Sequence, residues 1–331
     1  METYQQLAIT RFGEPAVLAM QTQTLPALTD AQMLADEQVL ADDQVLVKVA
    51  YAGVNPIDAK TRAGLGWAAA QNKDNLPWVP GYDIAGEVVA CGQAVRRWSV
   101  GDRVSGFIGF PLQGGGYSEY VVVPAEQLSS VPASTPLRQA AALPLAGQTA
   151  WQALEKAAVN AGDQVLVLAG AGGVGHLAIQ LAVARGAKVF ASCSAGNADF
   201  VRQLGATALD YRQGPLDTQL KDADVLIDLM GGDVGIAALS CVKAGGRVVT
   251  VPTITAEQVC EQVRQCGLQA EGMLVTPSVT QNDTMMAMLA AGTLRLHVDA
   301  VYPLADGAAA HQAIESGHTR GKIVLAVGSD A

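Results

Sequence analysis

Three glycines, Gly170, Gly172 and Gly175, stand at the spacing G-x-G-x-x-G directly after the apolar run Val165 to Leu168. A stretch with Leu177, Ala178, Leu181 and Ala182 on one helical face follows and stops at Gly186. An uninterrupted apolar run of this length suits a strand buried on both faces of a parallel sheet. A helix beginning near Val174 would turn free backbone N–H groups towards anions. Between strand and helix, the spacing predicts a turn that holds the phosphates of a dinucleotide. The first glycine permits the sharp turn, the second lets a pyrophosphate approach, and the third allows tight helix packing; Gly173 and Val174 complete the turn.

The next expected strand, Lys188 to Ser192, runs into Cys193, Ser194, Ala195, Gly196 and Asn197. NAD sites place an Asp or Glu about 20 residues beyond the glycines, on the ribose 2'-hydroxyl. Here there is none, and Ser192 and Ser194 leave room for a 2'-phosphate that a carboxylate would repel. A charge-assisted hydrogen bond contributes about 1.5 to 3 kcal/mol, enough to choose between the two cofactors. NADPH is therefore the expected cofactor, against the plainer reading of two serines that end a strand.

These elements need a frame, and the 331 residues suffice for two domains with substantial cores. Hydrophobic residues make up 50% and charged residues 16%, which excludes a disordered chain and favours a well-buried α/β protein. Lys and Arg number 21 against 31 Asp and Glu, and the net charge of -10 disfavours nucleic acid and anionic lipid as partners. The start METYQQLAIT lacks the pattern of a signal peptide, and no apolar run approaches the roughly 18 residues of a membrane span. A soluble protein is expected. Five cysteines without a C-x-x-C give no disulfide framework and fit a reducing cytoplasm.

Residues 4 to 25 suggest two short antiparallel strands around Gly13-Glu14-Pro15. Ala35 to Leu40 is nearly duplicated by Ala41 to Leu46, and only the second copy leads into a strand, so the first reads as an acidic loop insertion. Val49 to Val123 shows short strands broken by Gly, Pro and Asn. From Pro136 alanine-rich helices lead to the glycine turn, and strands then alternate with helices, the pattern of a doubly wound parallel sheet. The helix Asp283 to Ala291 and the strands at His297 to Val301 and Ile323 to Val327 break that rhythm and are expected to return to the first domain. The fold class is thus α/β, with residues 1–137 and 277–331 in a β-rich domain and 138–276 in the cofactor domain.

In their order and spacing, FGEPAVL, AGVNPIDAKTRAG, VPGYDIAGEV, VGDRV, GGYSEY, AGAGGVGHLAIQLA and GHTRGKIVLAV resemble the medium-chain dehydrogenase/reductase superfamily over nearly the whole chain. Within it they resemble the zinc-independent quinone oxidoreductases, the zeta-crystallin group. The resemblance implies a GroES-like catalytic domain, a Rossmann domain, and a nicotinamide in the cleft between them. Where zinc-dependent members carry Cys, His and Cys, this chain has Asn55, Tyr82 and Leu145; Ile57 replaces the proton-relaying hydroxyl, and the structural-zinc lobe after Gly101-Asp102-Arg103-Val104 is missing. No metal is expected from such a set. His176, His297, His311 and His318 lie outside those positions and are expected at the surface or in turns.

Without a Lewis acid the substrate must already be electrophilic, as quinones and α,β-unsaturated carbonyls are. The resemblance accordingly implies NADPH-dependent reduction of a quinone, with a 2-alkenal or enone reductase as the alternative. A protein that holds NADPH without turnover, as the crystallin resemblance allows, is a third reading. Asn55 is expected to offer its amide near nicotinamide and substrate, Tyr82 its phenol, and Tyr117 to line the same cleft. Asn55 before Pro56 equally suits a turn, Tyr82 equally suits packing, and Asp58 and Arg62 equally suit a loop-pinning ion pair. Thr149 is assigned to the nicotinamide side, or to a helix N-cap. For the 2'-phosphate the resemblance implies a Lys and a Tyr; the chain has Asn197 at the first position and Tyr211 at the second, with Arg212 beside it to supply the charge. Loops Gly64 to Lys73, with an exposed Trp67, and Gly109 to Gly116 are expected to shape the cleft. The strand near Gly272 to Val275 is expected to pair across a two-fold axis in a homodimer.

Overall fold

The computed structural model describes residues 2–25, 40–112 and 114–328. The first copy of the acidic duplication lies outside the described residues except for Leu40, while the second runs into the strand Gln44–Val54 as expected.

Six parallel strands form the cofactor sheet, in the spatial order Thr207–Asp210, Lys188–Cys193, Gln164–Val167, Ala223–Asp228, Val242–Thr250 and Gln269–Gly272. Numbered by sequence this is 3-2-1-4-5-6, the doubly wound order, and the order reverses beside Gln164–Val167. Val165, Leu166, Val167 and Leu168 are fully buried, which explains their unbroken apolar run. The glycine turn follows at the carboxyl end of this strand, the place where such sheets bind ligands.

The second sheet has seven strands and is mostly antiparallel. Its centre is Gln44–Val54, which pairs with Asp83–Cys91 and Tyr120–Pro124 and also with the C-terminal strand Lys322–Ala326. Val298–Pro303 lies parallel to Lys322–Ala326 at one edge. The chain end thus returns to the sheet its first half built. The hairpin Glu2–Ile9 with Leu18–Leu25 docks on this domain through bridges from Gln6 to Ser118 and from Ile9 to Trp78.

One core crosses between the two parts. Leu143, the N-cap of the helix Pro144–Lys156, and Leu145, Ala146 and Ala150 within it pack in the same cluster as Tyr82, Phe107, Val165, Val167 and Ala178. Here Gly147 keeps the approach close, since a Cβ would stand 2.9 Å from the end of the Met285 side chain and push it aside.

Two sequence expectations change. The segment after Gly64 is not a loop: Gly66–Asn72 is a helix that buries Ala68 and Ala69, and Trp67 is half-buried, edge-on to Phe110 at 5.7 Å. His176 and His311 are fully buried rather than at the surface. Each finds a partner, His176 Nδ1 at 2.8 Å from Gly172 O and His311 Nε2 at 3.2 Å from Tyr117 Oη. Burial lowers their pKa to about 4 and about 3, so both are neutral side chains of the core.

Candidate active site

The glycine turn is held by backbone. Leu168 N–H donates to Ile227 O at 3.0 Å, Gly170 N–H to Ser192 O at 2.8 Å, and Ala169 N–H to Ser192 Oγ at 3.1 Å. The left-handed residue is Ala169, with φ of 50°, so Gly170 is not there to make the turn. Its role is close packing, since a Cβ would stand 2.6 Å from Ala191 Cβ. Gly175 is the same, with Ala169 O at 2.2 Å from a Cβ, where the helix Gly175–Ala184 meets the strand end.

At Gly172 a Cβ would meet only Ala169 O at 3.3 Å, and at Gly173 it would meet Lys322 Cδ at 3.1 Å and Gly321 O at 3.3 Å. These two positions, with Val174 as the N-cap, leave a shallow cradle into which a pyrophosphate fits. Gly172 opens into a cavity of about 700 Å³ that Ser192, Ser194, Asn197 and Tyr211 also line. That cavity suits the adenosine half of a dinucleotide. Arg212 does not line it; the side chain is exposed, 5.8 Å from the Tyr211 ring.

Val174, two residues past Gly172, lines a second cleft, of about 190 Å³. Its walls are hydrocarbon and aromatic: Ile57, Trp67, Phe110, Leu145, Ile254 and Met273 among them. Thr149 lines it too. It sits inside the helix Pro144–Lys156 and donates to Leu145 O at 2.7 Å, so it is not an N-cap; Pro144 starts the helix earlier, at a position that needs no N–H.

Ile57, Lys60 and Thr61 enter this cleft from one face of the helix Pro56–Arg62, at the i, i+3, i+4 spacing that makes helix neighbours. Lys60 is half-buried, and its amine has no hydrogen bond or ion pair among the described residues. Burial lowers its pKa. A free ammonium in an apolar cleft is placed to stabilise negative charge that develops there.

Beneath the cleft lies a buried polar cluster. Asn55 Nδ2 donates to Asp83 Oδ2 at 2.8 Å, and Lys322 Nζ donates to Asn55 Oδ1 and, at 3.0 Å, to Val54 O. Lys322 Nζ lies 3.8 Å from Asp83 Oδ2, whose partner oxygen accepts from Leu145 N–H at 2.8 Å. Asp58 accepts from Asn55 N–H at 2.9 Å and from Gly81 N–H at 3.1 Å. Burial nevertheless pushes its carboxyl up to about 7. Burial likewise raises Asp83 and lowers Lys322, each opposed by the other's charge.

None of the three side chains expected to meet the substrate lines the cleft. Asn55 is 1% exposed with both amide atoms engaged, so it fixes the start of the helix that carries Lys60. Tyr82 is fully buried and donates to Pro111 O at 3.1 Å, and its ring backs Phe110 at 5.3 Å. It therefore positions the cleft wall. Tyr117 is packed against His311 in the catalytic-domain core. The expected Asp58–Arg62 ion pair does not form, because Arg62 binds Gly13 O at 2.8 Å and the Glu315 carboxylate.

Two family models match the chain, an alcohol dehydrogenase GroES-like domain over residues 41–133 and a zinc-binding dehydrogenase domain over residues 204–325. The chain is 33% identical over 329 residues to the mitochondrial NAD(P)H oxidoreductase of Danio rerio, covering 86% of this chain and 84% of that protein. The fold superposes on the quinone oxidoreductase from Coxiella burnetii with a TM-score of 0.92 at 38% identity, covering 99% and 100% of the two chains. This chain is a medium-chain dehydrogenase/reductase. It belongs with the zinc-independent, quinone-oxidoreductase-like reductases of the superfamily, and it is an enzyme of that kind. A further relative, the 2-methylene-furan-3-one reductase of Solanum lycopersicum, is 41% identical over 214 residues, 62% of this chain and 54% of that protein.

The positions that the resemblance assigns to zinc ligands carry an amide, a phenol and a leucine, a poor donor set for zinc, and the described residues hold no cluster of three His, Cys, Asp or Glu side chains suited to a metal. NADPH is the cofactor that both the glycine turn and the relatives support. No helix among the described residues is long and apolar enough to cross a membrane. Sequence reasoning missed Lys60, for which the i+3 spacing to Ile57 was the available signal, and the Asp83–Lys322 pair joins segments that nothing local in the sequence connects.

Proposed function

We propose that this reductase uses NADPH to reduce an apolar, already electrophilic carbonyl compound, a quinone first among them. One observation carries the reading: Ile57, Lys60 and Thr61 share a helix face in an otherwise apolar cleft that begins at Val174 of the dinucleotide turn. Hydride transfer needs such a place, shielded from water and next to the cofactor. When bound, NADPH supplies the hydride. Thr149 and Val174 line the cleft with Lys60, which places positive charge where the acceptor's oxygen gains negative charge.

An α,β-unsaturated ketone or aldehyde is the second reading, and the lone Lys60 ammonium suits its single developing oxyanion as well as it suits a quinone's. Hydride addition at the β-carbon leaves one enolate oxygen for Lys60 to stabilise, and a proton from Lys60 or water completes the reduction at the α-carbon. Both substrate classes occur among the names of the relatives. The test is oxidation of NADPH and of NADH by chelator-treated protein, against a small quinone and an aliphatic enone. Faster NADPH turnover with the quinone supports the first reading, a preference for the enone supports the second, and tight NADPH binding without turnover on either would contradict both in favour of a non-catalytic binding protein.

The assignment of residues 1–137 and 277–331 to the catalytic domain and 138–276 to the cofactor domain is kept, as is a reducing compartment such as the cytoplasm, with which five free cysteines agree. A homodimer is also proposed. Gln269–Gly272 is the last strand of its sheet, and beyond it Leu274 is 47% exposed, an edge that a second copy would extend. Light scattering at micromolar concentration is expected to give a dimer-sized mass, and a monomer-sized mass would contradict the pairing.

A further inference from the structure

Asn197, in the wall of the cavity at the end of Lys188–Cys193, is held by a cation from the far end of the chain. Arg320 precedes the strand Lys322–Ala326, yet its Nε donates to Asn197 Oδ1 at 2.7 Å and its Nη2 to Gly196 O at 3.0 Å. Asn197 Nδ2 in turn donates to Ser194 Oγ at 3.4 Å, so the guanidinium, the amide and the serine form one chain along the cavity rim. The guanidinium also lies 5.4 Å from the Phe200 ring centroid. Gly317, His318 and Thr319, the residues before it, line the same cavity as Ser192, Ser194, Asn197 and Tyr211.

Its position is set before any ligand arrives. Arg320 N–H donates to Asp299 Oδ2 at 3.2 Å and Gly321 N–H to Ala171 O at 2.8 Å. Gly321 adopts φ of 71°, where a Cβ would stand 2.3 Å from His297 O, so the chain must pass here as glycine. A guanidinium has five N–H donors, and two are used. Its side chain makes no ion pair among the described residues, so its charge is not cancelled by a carboxylate. Neither arginine is part of the cavity wall itself, but Arg320 is half-buried and hydrogen-bonded to Asn197 and Gly196, whereas Arg212 is exposed and its side chain meets only the Tyr211 ring.

We propose that Arg320 is the residue that selects the 2'-phosphate of NADPH over the 2'-hydroxyl of NADH, with Asn197 as its positioning residue and Arg212 as a minor contributor. The inference rests on the NADPH reading of the cofactor site. A fixed guanidinium binds a phosphate through short, charge-assisted hydrogen bonds, and its rigid fork loses little freedom on doing so.

The test is binding without turnover. Adenosine 2',5'-bisphosphate and 5'-AMP are titrated by calorimetry into the wild type, Arg320→Ala, Arg320→Gln and Arg212→Ala, each first checked for a native circular dichroism spectrum. Both Arg320 variants are expected to bind the bisphosphate about 10- to 100-fold more weakly while AMP binding stays within about 2-fold. Arg212→Ala is expected to lose less than about 3-fold. Equal weakening of both ligands in the Arg320 variants would make Arg320 structural, and a larger loss in Arg212→Ala would move the role there; either result overturns the proposal. A wild type that binds both ligands equally would instead overturn the NADPH reading itself, and the proposal with it. Asn197→Ala, which leaves the charge but removes the Nε acceptor, is expected to fall between wild type and Arg320→Ala.

Discussion

The dinucleotide turn and the apolar cleft that Val174 lines are built by different means. The phosphate turn is made by backbone, in which glycines let strand and helix meet and a turn presents its own N–H groups. The substrate side is made by side chains from several segments, and it stands on the buried Asn55, Asp58, Asp83 and Lys322. A backbone site follows from a few adjacent residues. A side-chain site depends on partners distant in sequence, and its chemistry is only as well placed as the groups beneath it.

If the polar cluster is that foundation, breaking it has the largest effect. Asp83→Ala leaves Lys322 buried without its carboxylate and is expected to destabilise the protein by about 3 to 5 kcal/mol, read as a shift in denaturant midpoint. A change under about 1 kcal/mol would mean the substrate side does not depend on this pair. Asp58 sharpens the contrast through pH. Its carboxyl is held at about 7 against an ordinary 3.8, so the folded state binds the proton that the unfolded state releases. Stability from this group is therefore full below about pH 4 and lost as pH rises through about 7, a swing on the order of several kcal/mol. Asp58→Asn is expected to flatten that part of the melting temperature against pH, and an unchanged slope would rule out Asp58 as its source.

On the cofactor side the expected loss is smaller and of another kind. Gly175→Ala drives a Cβ against Ala169 O, costing about 1 to 3 kcal/mol by overpacking and weakening NADPH binding, as thermal melts with and without cofactor would record. Unimpaired binding would show that the turn relaxes freely.

The contrast also explains what could be read from sequence. The glycine turn, the parallel sheet and the return of the C-terminal strand to the first domain follow from local patterns and from the resemblance, and the structure has them. Even there, the left-handed residue is Ala169 and not the first glycine, because Gly170 is consumed by packing on Ala191. The cleft was less legible. Asn55 and Tyr82 stand where zinc ligands stand in relatives, which suggested that they touch the substrate; burial instead commits Asn55 to Asp83 and Lys322, and Tyr82 to Pro111 O. Their work is to hold up the helix and the aromatic wall. Lys60 shares a face with Ile57 by simple helical spacing, but only the apolar surroundings identify it as a lone charge.

That lone charge is the centre of the account, and the most direct test is the pH profile of kcat/KM for the wild type beside Lys60→Met, with NADPH and the better acceptor. The expected wild-type profile falls as pH rises through a lysine pKa below its ordinary value, and Lys60→Met is expected to be about 10²- to 10³-fold slower with that limb gone. A Lys60→Met enzyme that keeps both the rate and the high-pH limb would contradict the placement of acceptor chemistry on this helix face.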